Sequence, residues 1–155
     1  MIFSSFGNVP KDFSRLAEAL DSYALSRGED VVVQYGYTDY KFQHAMGRQF
    51  MDHKELTEKM KSAEVVVLQG GWGTISEALF MKLRIVAVPR RCPEEHNHDQ
   101  SELVRKLEQV GCVIGVYDEK ELAEKIELAR TFDFKELKRG NALPYIETKL
   151  KEWGL

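Results

Sequence analysis

Apolar positions along this chain follow two alternating rhythms. Short apolar runs at residues 1–6, 30–35, 64–68, 85–88 and 112–116 read as strands. Between them the apolar residues return every three or four positions. Phe13, Leu16, Ala17, Leu20 and Ala24 mark one helical face, and Gly28 closes it. Further helices are predicted over 53–62, 74–82, 99–110 (ended by Gly111), 119–130 and 143–153. Pro89 closes the strand at 85–88. Residues 36–51 are aromatic and polar without a clear period, and read as loop with a short strand near 40–42; residues 90–98 read as polar loop.

Strands joined through helices must mostly run parallel, with helices on both faces of the sheet. The expected fold is therefore α/β, a single Rossmann-like domain over residues 1–155. Its 155 residues suffice for one substantial core. In such a sheet ligands bind beyond the carboxyl ends of the strands. Three loops then matter most: the one after the first strand (Gly7, Asn8), the turn from Gln69 to Thr74, and the loop from Arg90 to Gln100.

Charge and composition narrow the partners. The net charge is −3 with no basic block, so nucleic acid is not expected. No apolar run approaches the ~20 residues of a membrane span. The first seven residues lack a basic stretch, so a signal peptide is not expected and the location is read as cytoplasmic. Cys92 and Cys112 lie far apart in sequence and read as free thiols. His96 and His98 have no matching second pair, so neither metal nor cofactor is expected.

The richest chemistry is Gly70-Gly71-Trp72-Gly73-Thr74 between a strand and a helix. Backbone N–H groups there, aided by the helix dipole, make a phosphate cradle. The glycines are expected to bring the backbone close and to reach positive φ; the plain alternative is a tight turn that binds nothing. The spacing is not that of the dinucleotide fingerprint, and no P-loop Lys is present. Glu77 fits two readings. It closes a capping box with Thr74, or it accepts hydrogen bonds from ribose hydroxyls, worth roughly 1.5–3 kcal/mol each. The row from Glu95 to Gln100 suits hydrogen bonds to a sugar; its alternative is N-capping by Asn97 or Asp99, with Glu102 completing a box from Asp99. Trp72 is placed for stacking or for packing. Asn8 reads as a turn residue; Arg90 and Arg91 read by default as surface charge, with pairing to phosphate the alternative, while His44 and His53 give no signal.

Taken in order, these segments resemble the donor-binding C-terminal domain of glycosyltransferase family 28. The likeness is nearest to the small catalytic subunits of two-part transferases, of the dolichol-linked N-acetylglucosamine transferase and bacterial exopolysaccharide types. It runs from Ile2-Phe3-Ser4-Ser5-Phe6-Gly7 through Val33-Gln34-Tyr35-Gly36-Tyr37 and Gly70–Leu79 to Val88-Pro89-Arg90-Arg91 and Glu95-His96, His98-Asp99-Gln100. It covers nearly all of the chain to about residue 128. The resemblance implies half of a GT-B architecture and a uridine diphosphate sugar as substrate. Gly70, Gly71, Gly73 and Thr74 then match the diphosphate positions, Glu77 the ribose carboxylate, Asp99 and Gln100 the donor-sugar contacts, and Gly7, Asn8 and Gln69 the cleft loops. Three positions depart from the family's habit: Gln69 stands where a His is usual, Asn8 where Thr is usual, and Lys82-Leu83-Arg84 where Gly-Lys-Pro is common. Glutamine cannot act as a base.

The implied chemistry is a single inverting displacement in which an acceptor hydroxyl replaces the diphosphate. His98 is the candidate base within the chain; a group from another protein is the alternative. The resemblance implies such a partner, a membrane-associated subunit that binds the acceptor and recruits this chain to the membrane face. Leu143, Ile146, Leu150 and Trp153 share one helical face, so residues 142–155 either dock that partner or pack on their own domain. Two other functions stay open: a nucleotide-sugar binder without catalysis, and a nucleoside-monophosphate phosphoribohydrolase, in which a Gly-Gly-x-Gly-Thr turn followed by Glu also occurs.

Overall fold

A computed structural model describes residues 1–137, 140, 148 and 152. Its elements run β1 (Ile2–Ser5), α1 (Ser14–Arg27), β2 (Val31–Gln34), β3 (Met46–Arg48), α2 (His53–Ser62), β4 (Val65–Gln69), α3 (Trp72–Phe80), β5 (Ile85–Val88), α4 (Ser101–Gln109), β6 (Ile114–Gly115), a single 3₁₀ turn (Glu119–Glu121) and α5 (Leu122–Thr131). The expected helix over 143–153 lies outside the described residues, apart from Thr148 and Glu152.

All six strands are parallel, in the order β3-β2-β1-β4-β5-β6. The central strands are buried along their whole length, and their period of two divides them between two cores. Val65, Val67, Val86 and Val88 face one side, where Phe13 at the cap of α1 and Leu16, Leu20 and Tyr23 within it meet Ile126 and Ala129 of α5. Val66, Leu68, Ile85 and Ala87 face the other, against Met60 of α2, Ile75 and Ala78 of α3, and Val104 and Leu107 of α4. Each fully buried Val, Leu or Ile contributes about 1.5–3 kcal/mol, so both helical layers are held firmly to the sheet.

The expected strand near 40–42 falls instead at Met46–Arg48, an edge strand exposed at every residue. Its approach is fixed by Asp21, a carboxylate of α1 that is 4% exposed. Asp21 accepts from the backbone N–H groups of Gln43, His44 and Ala45 and from the Tyr40 hydroxyl. Burial alone would raise its pKa, but these donors outweigh it and hold it below the usual carboxylate range. The last strand, expected over 112–116, is reduced to Ile114–Gly115.

Candidate functional site

The order of the strands decides where a ligand fits. From β1 the chain builds outward through β2 and β3 on one side, then returns to add β4, β5 and β6 on the other. Loops leaving the carboxyl ends of β1 and β4 therefore diverge and leave a crevice. A cleft of about 320 Å³ occupies it, lined by Gly7 and Asn8 after β1, Gln69, Gly71, Gly73 and Thr74 after β4, Gln34 at the end of β2, and Met51, His53 and Leu56 at the start of α2. A larger groove of about 410 Å³ takes its lining from the flanks of α1 and the start of α5, away from every strand end.

Helix α3 begins at Trp72, two residues earlier than expected, with Gly71 in the cap position and no side chain capping it. Thr74 is thus inside the helix, and the capping box with Glu77 does not form. The first N–H groups of α3, from Trp72 to Thr74, have no acceptor within the helix and point to the cleft with the positive end of the dipole. The three glycines of the turn differ in role, and none of them has positive φ. A Cβ at Gly70 would press on Gln100 Cβ at 2.9 Å, Val104 Cγ2 at 3.0 Å and Pro89 Cα at 3.1 Å, so this glycine lets the turn sit against α4. A Cβ at Gly73 would meet nothing within 4 Å: it faces open space. Positive φ occurs across the cleft, at Gly7 (68°).

Glu77 lies one turn into α3. Its Oε2 is covered by the protein yet has no hydrogen-bond partner among the described residues, and it sits 3.9 Å from Nδ1 of His53. A covered carboxylate oxygen without a hydrogen-bond donor has the capacity to accept one from a hydroxyl group. His53 and Met51 carried no functional signal in the sequence; they reach the cleft because Asp52 caps α2 there, accepting from the Glu55 N–H at 2.8 Å.

Beyond β5 the structure departs from expectation. Arg90 is not surface charge: it is 2% exposed. Its Nε donates to Gln69 Oε1 at 2.7 Å, and its two terminal nitrogens donate to the carbonyls of Phe6, Lys11, Asp12 and Glu95. The guanidinium lies 4.3 Å over the Phe13 ring. Burial pushes its pKa down to about 10, which leaves it charged at neutral pH. Arg91 is exposed and pairs with Glu119. Glu95 turns inward to a bidentate pair with Arg15 at 2.7 and 2.9 Å, and the His98 N–H donates to His96 Nδ1.

Asp99 Oδ1 accepts from the Ser101 N–H at 2.8 Å and so covers the start of α4, while Glu102 turns to Lys106 instead of completing a box. Asp99 lines a separate depression with Arg91, Arg105 and Tyr117. Gln100 is buried, with Oε1 accepting from the Arg90 N–H, and its Nε2 would lie 3.7 Å from a Cβ at Gly71. Of the expected site residues the cleft is lined by Gly7, Asn8, Gln69, Gly71, Gly73 and Thr74, while Gly70, Glu77, His98, Asp99 and Gln100 lie outside its lining, Glu77 standing behind the lining residue His53. Trp72 is half exposed at the head of α3. Cys92 is exposed and Cys112 buried, both as free thiols. No helix among the described residues is long and apolar enough to cross a membrane.

Comparison with known proteins agrees with this architecture. No curated protein matches the chain. Among solved structures it is similar to CalG4, the calicheamicin glycosyltransferase, with a TM-score of 0.66 and 15% identity over 84% of this chain and 33% of that one. It is also similar to the Methanocaldococcus jannaschii UDP-GlcNAc 2-epimerase in complex with UDP-GlcNAc and UDP (TM-score 0.64, 13% identity, 97% of this chain and 45% of that one). Acinetobacter baumannii MurG is a third (TM-score 0.60, 15% identity, 97% and 49%). At these identities the likeness is one of fold, and the chain spans between a third and a half of each protein. The sequence itself matches the glycosyltransferase family 28 C-terminal domain over residues 8–143. That match takes in the glycine turn, the loop after β1 from Asn8 onward, and most of the chain, which belongs to this family.

Proposed function

We propose that this chain is the donor-binding catalytic subunit of a glycosyltransferase, moving a hexosyl group of the glucose or N-acetylglucosamine kind from a uridine diphosphate sugar to an acceptor held by a partner chain. One observation carries the reading: the uncapped amino end of α3 opens into the crevice between β1 and β4, with a Glu77 oxygen that has no hydrogen-bond partner among the described residues one turn behind it. In this reading the N–H groups of Trp72, Gly73 and Thr74 hold the diphosphate, and Glu77 holds the ribose. As the bond to sugar carbon one breaks, charge grows on the diphosphate, and donors already aimed there stabilise it without rearranging. Gln100 Nε2 is the group beside Gly71 that a donor sugar would meet.

The acceptor hydroxyl must lose a proton in an inverting displacement. His98, the base expected from the sequence, is not among the residues that line the cleft. Proton removal is therefore assigned to the partner, the membrane-associated chain that brings the acceptor. A second reading, a nucleotide-sugar binder without catalysis, draws on the same observation and on Gln69, which cannot take a proton. Family membership favours either over a phosphoribohydrolase.

Thermal unfolding with uridine, guanosine and adenosine diphosphate sugars tests the reading. A ligand at 100 times its Kd adds about 2.7 kcal/mol. The uridine series should give the largest shift, and Glu77→Ala should abolish most of it while changing the unliganded stability by less than about 0.5 kcal/mol. No shift with any of the sugars would refute the proposal. Binding without turnover in the presence of the co-expressed partner would select the non-catalytic reading.

A further inference from the structure

Gln69 and Arg90 meet at the floor of the cleft, and their contact settles which way the Gln69 amide faces. Arg90 Nε can only donate, so the Gln69 atom 2.7 Å from it is the carbonyl Oε1. The other end of the carboxamide, Nε2, is turned into the gap between the β1 loop and the glycine turn. A Cβ at Gly7 would collide with it, and one at Gly71 would lie 3.3 Å away. Gln69 is only 7% exposed, it lines the cleft, and its Nε2 has no hydrogen-bond partner among the described residues. Nε2 is not among the fully covered polar atoms, so solvent in the cleft reaches it, and an anionic oxygen there can replace water as its acceptor.

Arg90 is not free to release its hold. Its terminal nitrogens are committed to backbone carbonyls of the β1 loop and the start of α1, and its face rests on Phe13. We propose that Arg90 is a positioning residue, locking the Gln69 carboxamide so that its amide N–H groups bind an anionic oxygen of the donor diphosphate beside the amino end of α3. This rests on the donor-binding reading and adds to it a side-chain donor whose direction is set from behind by a buried cation. Unlike an imidazole, the amide has no titration near neutral pH, so this contact is the same on either side of pH 7.

The test compares Kd for UDP-GlcNAc and for uridine, which lacks phosphate, in the native chain, Gln69→Glu, Arg90→Lys and the double variant. Q69E keeps an acceptor for Arg90 and replaces the amide donor by an anionic oxygen. It should unfold at or above the native temperature, weaken UDP-GlcNAc by about tenfold or more, and leave uridine within about twofold. Arg90→Lys should lower the same UDP-GlcNAc preference, and the double variant should bind no worse than Q69E, since both act through one group. Undiminished UDP-GlcNAc binding by Q69E, an equal loss for both ligands, or additive losses in the double variant would overturn the proposal. If Arg90→Lys does not fold, the Q69E ratio alone decides. A native chain that binds neither ligand overturns the donor-binding reading itself, an outcome distinct from the others.

Discussion

The turn after β4 and the loop after β5 are both rich in groups suited to a sugar nucleotide, and the fold uses them in opposite ways. In the 90–100 loop the polar groups bond to the protein: Glu95 to Arg15, Gln100 to the Arg90 backbone, Asp99 to the start of α4, His96 to the backbone of His98. In the turn after β4 the Gly70 N–H bonds to Val88, but the N–H groups from Trp72 to Thr74 have no acceptor within the helix, and Gln69 and Glu77 each keep one polar atom without a hydrogen-bond partner among the described residues. Residue types alone do not distinguish the two. The distinction lies in unused hydrogen-bonding capacity, which depends on where each side chain is turned. On the proposed function one loop is a brace and the other a receptacle, and Arg90 couples them.

Removing that coupling should have the largest effect. Arg90→Met leaves Gln69 Oε1 and four backbone carbonyls without their donor, and should lower stability by about 3–5 kcal/mol in urea denaturation. Next come the glycines. Gly70→Ala forces a methyl against Gln100, Val104 and Pro89 and should cost about 1–3 kcal/mol. Gly73→Ala adds its methyl to open space in a helix, so it should raise unliganded stability by about 0.5 kcal/mol while weakening nucleotide-sugar binding. Opposite signs on stability from two neighbouring glycines would sharpen the division between brace and receptacle; equal signs would blur it. The smallest effect belongs to Asp99→Ala, which should lower the melting temperature slightly and leave nucleotide-sugar affinity unchanged. The Ser101 N–H holds the Asp99 carboxyl below the usual range. Its contribution is therefore complete above the ordinary carboxylate pKa and fades as pH falls through the lower folded value, so the difference between native and variant should vanish in acid.

Much of this was readable in advance because buried parallel strands and amphipathic helices leave a strong periodic signal. The strands around Val65–Leu68 and Ile85–Val88, and helix α2, lie within a residue of expectation. The edge strand did not show itself: Met46, Gly47 and Arg48 are all exposed, so neither face carries an apolar alternation. What places it is Asp21, distant in sequence, through bonds to backbone N–H groups that have no sequence signature. The start of α3 was misplaced for a similar reason, since Thr74 and Glu77 spell a capping box whether or not the helix begins there. Within the site, the glycine turn was legible and Arg90 was not. An arginine next to another at the end of a strand reads as surface charge, because only the folded chain brings Phe6, Lys11 and Asp12 around it. The one available hint was its position two residues after a strand buried along its whole length.

Trp72 gives the mouth of the cleft an optical property. It is the first residue of α3, flanked by two glycines that line the cleft, and the residue is 49% exposed. The sequence holds only one other tryptophan, Trp153. In a Trp153→Phe background, emission would come from this indole alone, and occupancy of the neighbouring crevice would be followed by a shift in its fluorescence without any attached label.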